Sequence, residues 1–185
     1  MQQEFYPVQV AGVERRLRLF EVAPGVKIAI LNILGDTEFV QVVARELAAK
    51  LTHLDAHVLV TPETKSIPLA YALSVEMGLP YVVLRKALKS YMGNTLSAET
   101  VSITTGQTQT LYLDEKDRAL LENHRVILVD DVVSTGSTLK GMRIIMELAH
   151  AEIAAEAAIF TEGDQAKWAQ VVSLGHLPVF VNDVD

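Results

Sequence analysis

The chain has 185 residues, half of them hydrophobic, and a formal net charge of −7 at neutral pH. This length suits one domain with one core, and the acidic balance argues against nucleic-acid binding, which draws on clustered lysine and arginine. The absence of cysteine excludes disulfides and thiolate metal sites, and the lack of a long apolar run or a secretory-signal layout predicts a cytoplasmic protein without membrane contact.

Strands and helices alternate along the chain. A candidate cap at Asp36 and Thr37 precedes apolar residues at helical spacing from 39 to 51, and further helices are predicted at 67–77 and 139–149. Short apolar runs predict strands at 57–61, 81–84, 125–129 and 153–160. This alternation predicts an α/β fold with a Rossmann-like parallel sheet flanked by helices. Trp168 is expected to pack from a C-terminal helix.

The segment 86–110 interrupts this alternation. It is rich in Ser, Thr, Asn and Gln, and apolar and polar residues alternate on both sides of a turn at Gly106. This pattern predicts a β-hairpin arm. A plain surface hairpin is one interpretation, but segments of this length in compact domains are often lids or binding loops. The polar composition offers few apolar anchors, so we expect the arm to be mobile.

The polar residues best suited to bind a ligand lie between 126 and 138. A buried strand ends in Asp130 and Asp131 and leads through Ser134-Thr-Gly-Ser-Thr138 into a helix. Ligands of parallel sheets bind beyond the carboxyl ends of the strands, and a helix N-terminus after a glycine-bearing turn suits a phosphate monoester. The two carboxylates repel phosphate and are expected beside sugar hydroxyls or a divalent cation. The pattern therefore predicts a site for ribose 5-phosphate.

An ordinary helix cap would explain any one of these residues. It would not explain two acids at the end of a buried strand, because their desolvation costs free energy. The chain lacks the Gly-Lys-Ser/Thr string of a Walker loop, and no Gly-x-Gly-x-x-Gly follows a strand. A functional phosphate site is therefore favoured over a plain cap.

The string from four hydrophobic residues through Asp130-Asp131 to Thr138 resembles the signature of the type I phosphoribosyltransferases. The resemblance implies that Asp130 and Asp131 hold the ribose hydroxyls of 5-phosphoribosyl 1-pyrophosphate (PRPP). It implies that the 5-phosphate is bound by Ser134, Thr135, Gly136, Ser137 and Thr138. Similarity extends from about Pro24 to Gly163 and implies a single domain over 1–185, with a hood from about 1–35 and 161–185 and a mobile arm at about 86–110.

Two other loops resemble the pyrophosphate-binding segments of this family. Thr61-Pro-Glu-Thr-Lys-Ser66 lies between a strand and a helix, although a capped helix start with an exposed lysine is an equal alternative. Leu84-Arg-Lys86, followed by Lys89, is similar to an Arg-Lys pair of adenine and xanthine enzymes, and such cations suit pyrophosphate. The resemblance assigns pyrophosphate binding to Glu63, Thr64, Lys65, Ser66, Arg85, Lys86 and Lys89. It also implies a cis peptide bond between Thr64 and Lys65.

The base side departs from the pattern of the adenine enzymes. Ile28 stands where those enzymes usually place an aromatic residue, and Thr104 and Thr105 replace an arm Glu-Tyr whose glutamate is a catalytic candidate. Glu99 matches a glutamate of xanthine enzymes. Base binding is expected at Ile28, Val132, Val133 and Glu162, and catalytic roles at Asp130, Asp131, Lys86, Lys89 and Glu99.

The resemblance implies a purine phosphoribosyltransferase of purine salvage, with adenine as the first choice of base and xanthine or another base as an alternative. Mg²⁺ is expected to be carried by the substrate and reached by Asp130 and Asp131 through water, with no direct protein ligand. A homodimer is expected. The alternative is a non-catalytic sensor of PRPP or a nucleotide, as in the effector domains of purine repressors. The missing arm glutamate favours a sensor, whereas the segment before Pro24 is too short for a DNA-binding fold. A structural subunit is disfavoured because the phosphate loop is complete.

Overall fold

The computed structural model describes residues 3–101 and 108–181. The strands are β1 (Phe5–Val10), β2 (Val13–Ala23), β3 (Val26–Ile30), β4 (Val58–Pro62), β5 (Tyr81–Leu84), β6 (Leu96–Val101), β7 (Thr108–Leu113), β8 (Arg125–Val133), β9 (Glu152–Glu162), β10 (Val172–Leu177) and β11 (Phe180–Val181). The α-helices are α1 (Thr37–Leu51), α2 (Ile67–Met77), α3 (Arg118–Leu121) and α4 (Ser137–Leu148). No helix in these ranges has the length and apolar character needed to cross a membrane.

A five-stranded parallel sheet forms the centre of the fold, in the order β10-β9-β8-β4-β5. Alternate residues of its strands face opposite sides, because side chains alternate along a strand. Ile127 and Val129 pack with α1 and α2, whereas Val126 and Leu128 pack with α4. The predicted α/β fold, with helices on both faces of a parallel sheet, is therefore confirmed.

A second, antiparallel sheet combines both ends of the described chain, in the order β1-β2-β3-β11. Its strands lie within the two segments, about 1–35 and 161–185, that were expected to form a hood. Arg15 on β2 contacts both carboxylate oxygens of Asp36, at 2.6 and 2.8 Å, and Asp36 accepts a hydrogen bond from the backbone N–H of Phe39. The N-cap of α1 thus ties this sheet to the main body of the fold.

The predicted arm contains an antiparallel hairpin of β6 and β7. Its inner face includes buried Ala98, Thr100 and Leu111, and it packs on α4 at Gly141, where an added Cβ would lie 3.2 Å from a methyl group of Leu111. The sequence interpretation underestimated these apolar anchors, because only the alternate residues of each strand are apolar. The hairpin turn, with Thr104, Thr105 and Gly106, lies outside the described residues.

Candidate functional site

The main cleft lies where the direction of winding of the parallel sheet reverses, between the neighbouring strands β4 and β8. The loops that leave two such strands diverge, and open α/β sheets bind their ligands in the resulting crevice. The cleft is lined by Pro62, Glu63, Thr64, Lys65, Ser66, Lys86, Asp130, Asp131, Val132 and Thr138. The fold therefore brings most of the predicted pyrophosphate and ribose residues to one place.

The predicted phosphate loop, residues 134–138, forms a small concave surface at the N-terminus of α4. Gly136 has φ +82° and is the N-cap, so the chain turns through a left-handed residue directly into the helix. The hydroxyls of Thr135 and Ser137 lie 3.2 Å apart. Backbone N–H groups at the helix start and these hydroxyls are the donors that a phosphate monoester needs.

A short 3-10 helix, Gln165–Trp168, supports the phosphate loop from behind. A Cβ at Gly136 would collide with the Trp168 ring, so the close packing requires glycine. Lys167 Nζ donates to the backbone O of Thr135 at 3.1 Å, and Trp168 Nε1 donates to the backbone O of Glu162 at 3.2 Å. The predicted packing of Trp168 is correct, but the predicted C-terminal helix is wrong, because β10 begins at Val172. No local motif in the sequence signals this support.

The carboxylates of Asp130 and Asp131 form the acidic wall of the cleft. Asp130 is 9% exposed, and its Oδ1 accepts a hydrogen bond from the backbone N–H of Asp131 at 2.9 Å. Burial, followed by the neighbouring charge of Asp131, raises the pKa of Asp130 well above its ordinary value. Hydroxyl donors or a cation beside this pair would offset the free-energy cost of its ionisation.

Glu63 has the opposite surroundings. Its carboxylate accepts a hydrogen bond from the backbone N–H of Lys86 at 2.9 Å and lies 3.1 Å from Nε of Arg85. The hydrogen bond from Lys86, with a smaller effect of Arg85, lowers the pKa of Glu63. Glu63 thus joins the loop after β4 to the end of β5, and Arg85 is directed at Glu63 rather than at the open cleft.

The cis peptide bond of this loop joins Glu63 and Thr64. The prediction for Thr64–Lys65 was therefore wrong by one bond. Ser66 is buried, and its hydroxyl donates to the backbone O of Pro62 at 2.9 Å, so the hydroxyl closes the loop on itself.

The predicted cations and the arm glutamate are placed unequally. Lys65 and Lys86 line the cleft, whereas Lys89 and Glu99 do not belong to its lining. Glu99 is exposed on the face of β6 opposite to Ala98 and Thr100, which are buried toward α4. The structure thus supports a place at the cleft for two of the three predicted lysines.

A second cleft opens beside Asp131, on the side of β3. It is lined by Ile28, Ala29, Ile30, Leu31, Lys65, Asp131, Val132, Ser134 and Glu162. Three of the four residues predicted for base binding, Ile28, Val132 and Glu162, meet here. Val133 lies on the other face of β8 and packs in the core with Leu139, because successive residues of a strand point in opposite directions.

The acidic wall supplies few protein ligands for a metal ion. No group of three or more His, Cys, Asp and Glu within 3–101 and 108–181 could hold one. Mg²⁺ requires six oxygen ligands and usually keeps several waters. Asp130 and Asp131 therefore fit a hydrated Mg²⁺ ion that they would reach through water, with substrate oxygens among its direct ligands.

The fold and the two clefts define an α/β protein with a glycine-bearing loop at a helix N-terminus and an acidic wall at the switch point of its sheet. Residues 32–172 match the family model of the phosphoribosyl transferase domain. The chain belongs to the phosphoribosyltransferase family.

Relatives in this family include both enzymes and regulators. The chain is 35% identical over 126 residues to the hypoxanthine/guanine phosphoribosyltransferase of Methanothrix soehngenii, covering 66% of this chain and 63% of that protein. It is 30% identical over 133 residues to the purine biosynthesis transcriptional repressor PurR of Bacillus subtilis, covering 72% of this chain and 46% of the repressor. The chain thus spans about half the length of the PurR proteins that it matches.

Solved structures confirm the fold. The adenine phosphoribosyltransferase of Thermoanaerobacter pseudethanolicus superposes with a TM-score of 0.69 at 23% identity, covering 86% of this chain and 95% of that chain. The Giardia lamblia enzyme, solved with 9-deazaadenine, gives a TM-score of 0.67 at 17% identity and covers 93% of each chain.

Proposed function

We propose that this protein transfers the 5-phosphoribosyl group of PRPP to a purine base, giving a nucleoside monophosphate and pyrophosphate. One observation carries the proposal: the phosphate loop 134–138 and the acidic pair Asp130 and Asp131 adjoin the cleft that holds Lys65 and Lys86. PRPP carries a 5-phosphate, then the ribose hydroxyls, then the pyrophosphate. The site offers, in the same order, donors for phosphate, two carboxylates for the hydroxyls, and lysines for the leaving group.

Each part of the substrate has a matching part of the site. The 5-phosphate would bind at the start of α4, and the ribose hydroxyls would donate to Asp130 and Asp131. Pyrophosphate would face the loop 63–66 and Lys86, and the base would enter the cleft between Ile28 and Val132. The aliphatic side chains of Ile28 and Val132 can contact both faces of a flat ring, with less stacking energy than an aromatic residue would give.

The reaction is a displacement at the anomeric carbon. A ring nitrogen of the base forms the new C–N bond, the C–O bond to pyrophosphate breaks, and the base releases its N–H proton. The sugar gains positive charge on the way, which the nearby carboxylates of Asp130 and Asp131 stabilise. Lys65 and Lys86 neutralise the departing pyrophosphate. Bound Mg²⁺, held through water by Asp130 and Asp131, would supply further neutralisation of the pyrophosphate oxygens.

Water must be kept away from the activated sugar, since it would hydrolyse PRPP. We propose that the arm over about 86–110 supplies this cover and that Lys89, exposed at its beginning, reaches pyrophosphate when the arm closes. Glu99 faces away from the cleft, so a catalytic role for it would require the hairpin to leave its seat on α4.

Adenine is the base we propose first. The superposed structures are adenine enzymes, and one of them holds 9-deazaadenine. Guanine, hypoxanthine and xanthine are the alternatives, because hypoxanthine/guanine enzymes are among the relatives.

A sensor of PRPP or of a nucleotide is the second candidate function. Two observations favour it: similarity to PurR regulators, and a Glu99 that lies outside the cleft. Such a protein would bind the same ligands through the same loops without turnover.

We also propose that the protein works as a homodimer in the cytoplasm. The groove between α1 and α2 exposes Tyr71 and Val75, at 59% and 65%, and apolar groups this exposed are typical of interfaces. Sedimentation analysis tests the dimer: Tyr71→Lys should give a monomer, and Tyr91→Lys, at an exposed tyrosine outside this groove, should not.

The activity is tested by incubating the protein with PRPP, Mg²⁺ and adenine, guanine, hypoxanthine, xanthine or orotate in turn, and measuring pyrophosphate release. We expect base-dependent release with a purine and none with orotate. The double variant Thr135→Ala and Thr138→Ala serves as the control, since lost phosphate donors should abolish release. PRPP binding without release for any base would identify the sensor, and the absence of both would contradict each proposal.

A further inference from the structure

Glu162, the last residue of β9, has a carboxyl group whose surroundings are unusual. The residue is 8% exposed and lines the base-side cleft. No hydrogen bond or ion pair joins its carboxyl to another described residue; the side-chain donor at Glu162, Trp168 Nε1, bonds to its backbone O. A buried polar group without a partner costs free energy, so this placement calls for a ligand.

The backbone around Glu162 is held on both sides. Trp168 Nε1 donates to the backbone O of Glu162 at 3.2 Å. The ring of His176 bridges its two neighbours, with Nδ1 2.9 Å from the hydroxyl of Thr161 and Nε2 3.0 Å from the backbone O of Gly163. These contacts fix the backbone from which the Glu162 side chain extends, and a group that recognises a ligand needs such a fixed position.

The rest of the cleft is apolar on one side and polar on the other. Residues 28–31 and Val132 supply the apolar contacts, and Lys65, Asp131 and Ser134 supply the polar ones. Asp131 and Ser134 adjoin the proposed sugar and phosphate sites. Glu162 is therefore the acidic side chain of this cleft that can contact the edge of the base remote from the sugar. Burial disfavours the charged form of Glu162 and so raises the pKa of its carboxyl.

We propose that Glu162 selects the base by accepting a hydrogen bond from an exocyclic amino group. The inference rests on the proposed function, because it assumes that this cleft holds the base. An amino group donates to a carboxyl oxygen, whereas a carbonyl oxygen at the same position would oppose a second acceptor. The cleft should therefore prefer an amino-bearing purine, adenine or guanine, to its oxo or unsubstituted counterpart.

Calorimetric titration of the full chain with four nucleotides tests this selection. AMP and IMP differ at the 6-position, and GMP and IMP differ in the 2-amino group alone. We expect AMP or GMP to bind at least about 10-fold more tightly than IMP and XMP, since a site with a buried acceptor rejects ligands that lack the donor. The tighter of AMP and GMP identifies which amino group is read.

Glu162→Gln keeps the size of the side chain and adds a donor to it. It should reduce the ratio of amino to oxo affinity to within about 2-fold, while ribose 5-phosphate binds as before, because a Gln amide can donate to a carbonyl. Glu152→Gln, at the exposed opposite end of β9, is the matched control and should keep the wild-type ratio.

The outcomes separate the two proposals. If ribose 5-phosphate and PRPP do not bind the wild-type protein, the proposed function fails. If they bind but the four nucleotides bind equally, or Glu162→Gln preserves the preference, the selection by Glu162 is wrong and the proposed function stands. If Glu162→Gln also loses ribose 5-phosphate binding, the variant no longer reports on the base alone. The ratio of amino- to oxo-nucleotide affinities in the wild-type protein then decides whether an amino group is selected.

Discussion

Two carboxylates at the ends of neighbouring strands have opposite fates in this fold. Glu63, after β4, accepts a hydrogen bond from the backbone N–H of Lys86 and forms an ion pair with Arg85, and its pKa is lowered. Asp130, within β8, is buried beside Asp131, and its pKa is raised. The charge of Glu63 is paired with a cation of the protein, whereas Asp130 has a second carboxylate as its neighbour.

The difference separates an acid that is paired within the protein from one that lies beside a like charge, although both line the same cleft. Glu63 fixes the loop that follows β4, and its charge is already neutralised. Ionisation of Asp130 is opposed by its burial and by the neighbouring charge of Asp131, and we propose that ribose hydroxyls and Mg²⁺ relieve this cost. Proteins tolerate such local conflict mainly at functional sites.

The largest effect is expected beside the acidic pair, at Gly136. Gly136→Ala would push a methyl group into the Trp168 ring, so we expect ribose 5-phosphate affinity to fall by about 100-fold as the loop moves. Gly78→Ala is the matched control, because Gly78 also has positive φ but an added Cβ meets nothing within 4 Å. Calorimetry checks both variants. Equal losses would show that strain at a positive-φ residue, even one outside the phosphate loop, lowers the affinity, and that the contact with Trp168 is not the cause.

A smaller effect is expected at Glu63. Glu63→Gln keeps an acceptor for the backbone N–H of Lys86 but leaves Arg85 uncompensated, so we expect the melting temperature to fall by about 2–4 °C. The KM for PRPP should rise about 5-fold, because the loop after β4 is held less firmly. Glu76→Gln, at a surface pair whose closest atoms are 4.0 Å apart, should change neither quantity. A large loss of kcat in Glu63→Gln would mean that Glu63 acts on the substrate itself.

The smallest effect concerns pH. Because the pKa of Asp130 is raised on folding, its ionisation destabilises the fold, and this penalty grows as pH rises from the ordinary value of 3.8. Asp130→Asn should therefore raise the melting temperature by about 2–4 °C near pH 8, and the gain should shrink near pH 4. Thermal scans across this range check the trend. A gain that grows on acidification would contradict the raised pKa.

The sequence predicted the parts of the protein that depend on neighbouring residues. The bounds of α2 and β5 matched the expected segments, since each follows a local apolar pattern. The phosphate loop was evident because its residues are contiguous. The support from Lys167 to Thr135 spans 32 positions, and the contact between Glu63 and Arg85 joins two separate loops, so neither has a local signal. Val133 was expected to contact the base, but β8 continues through this residue, so its side chain points to the opposite face from Val132.

Binding of PRPP with Mg²⁺ to Asp130→Asn, measured by calorimetry beside the wild-type protein, tests the central claim most directly. We expect a variant that is more stable than the wild type but binds PRPP at least about 10-fold more weakly, because the carboxylate charge that destabilises the fold is the charge that binds the ligand. A variant that is more stable and binds PRPP with undiminished affinity would contradict it.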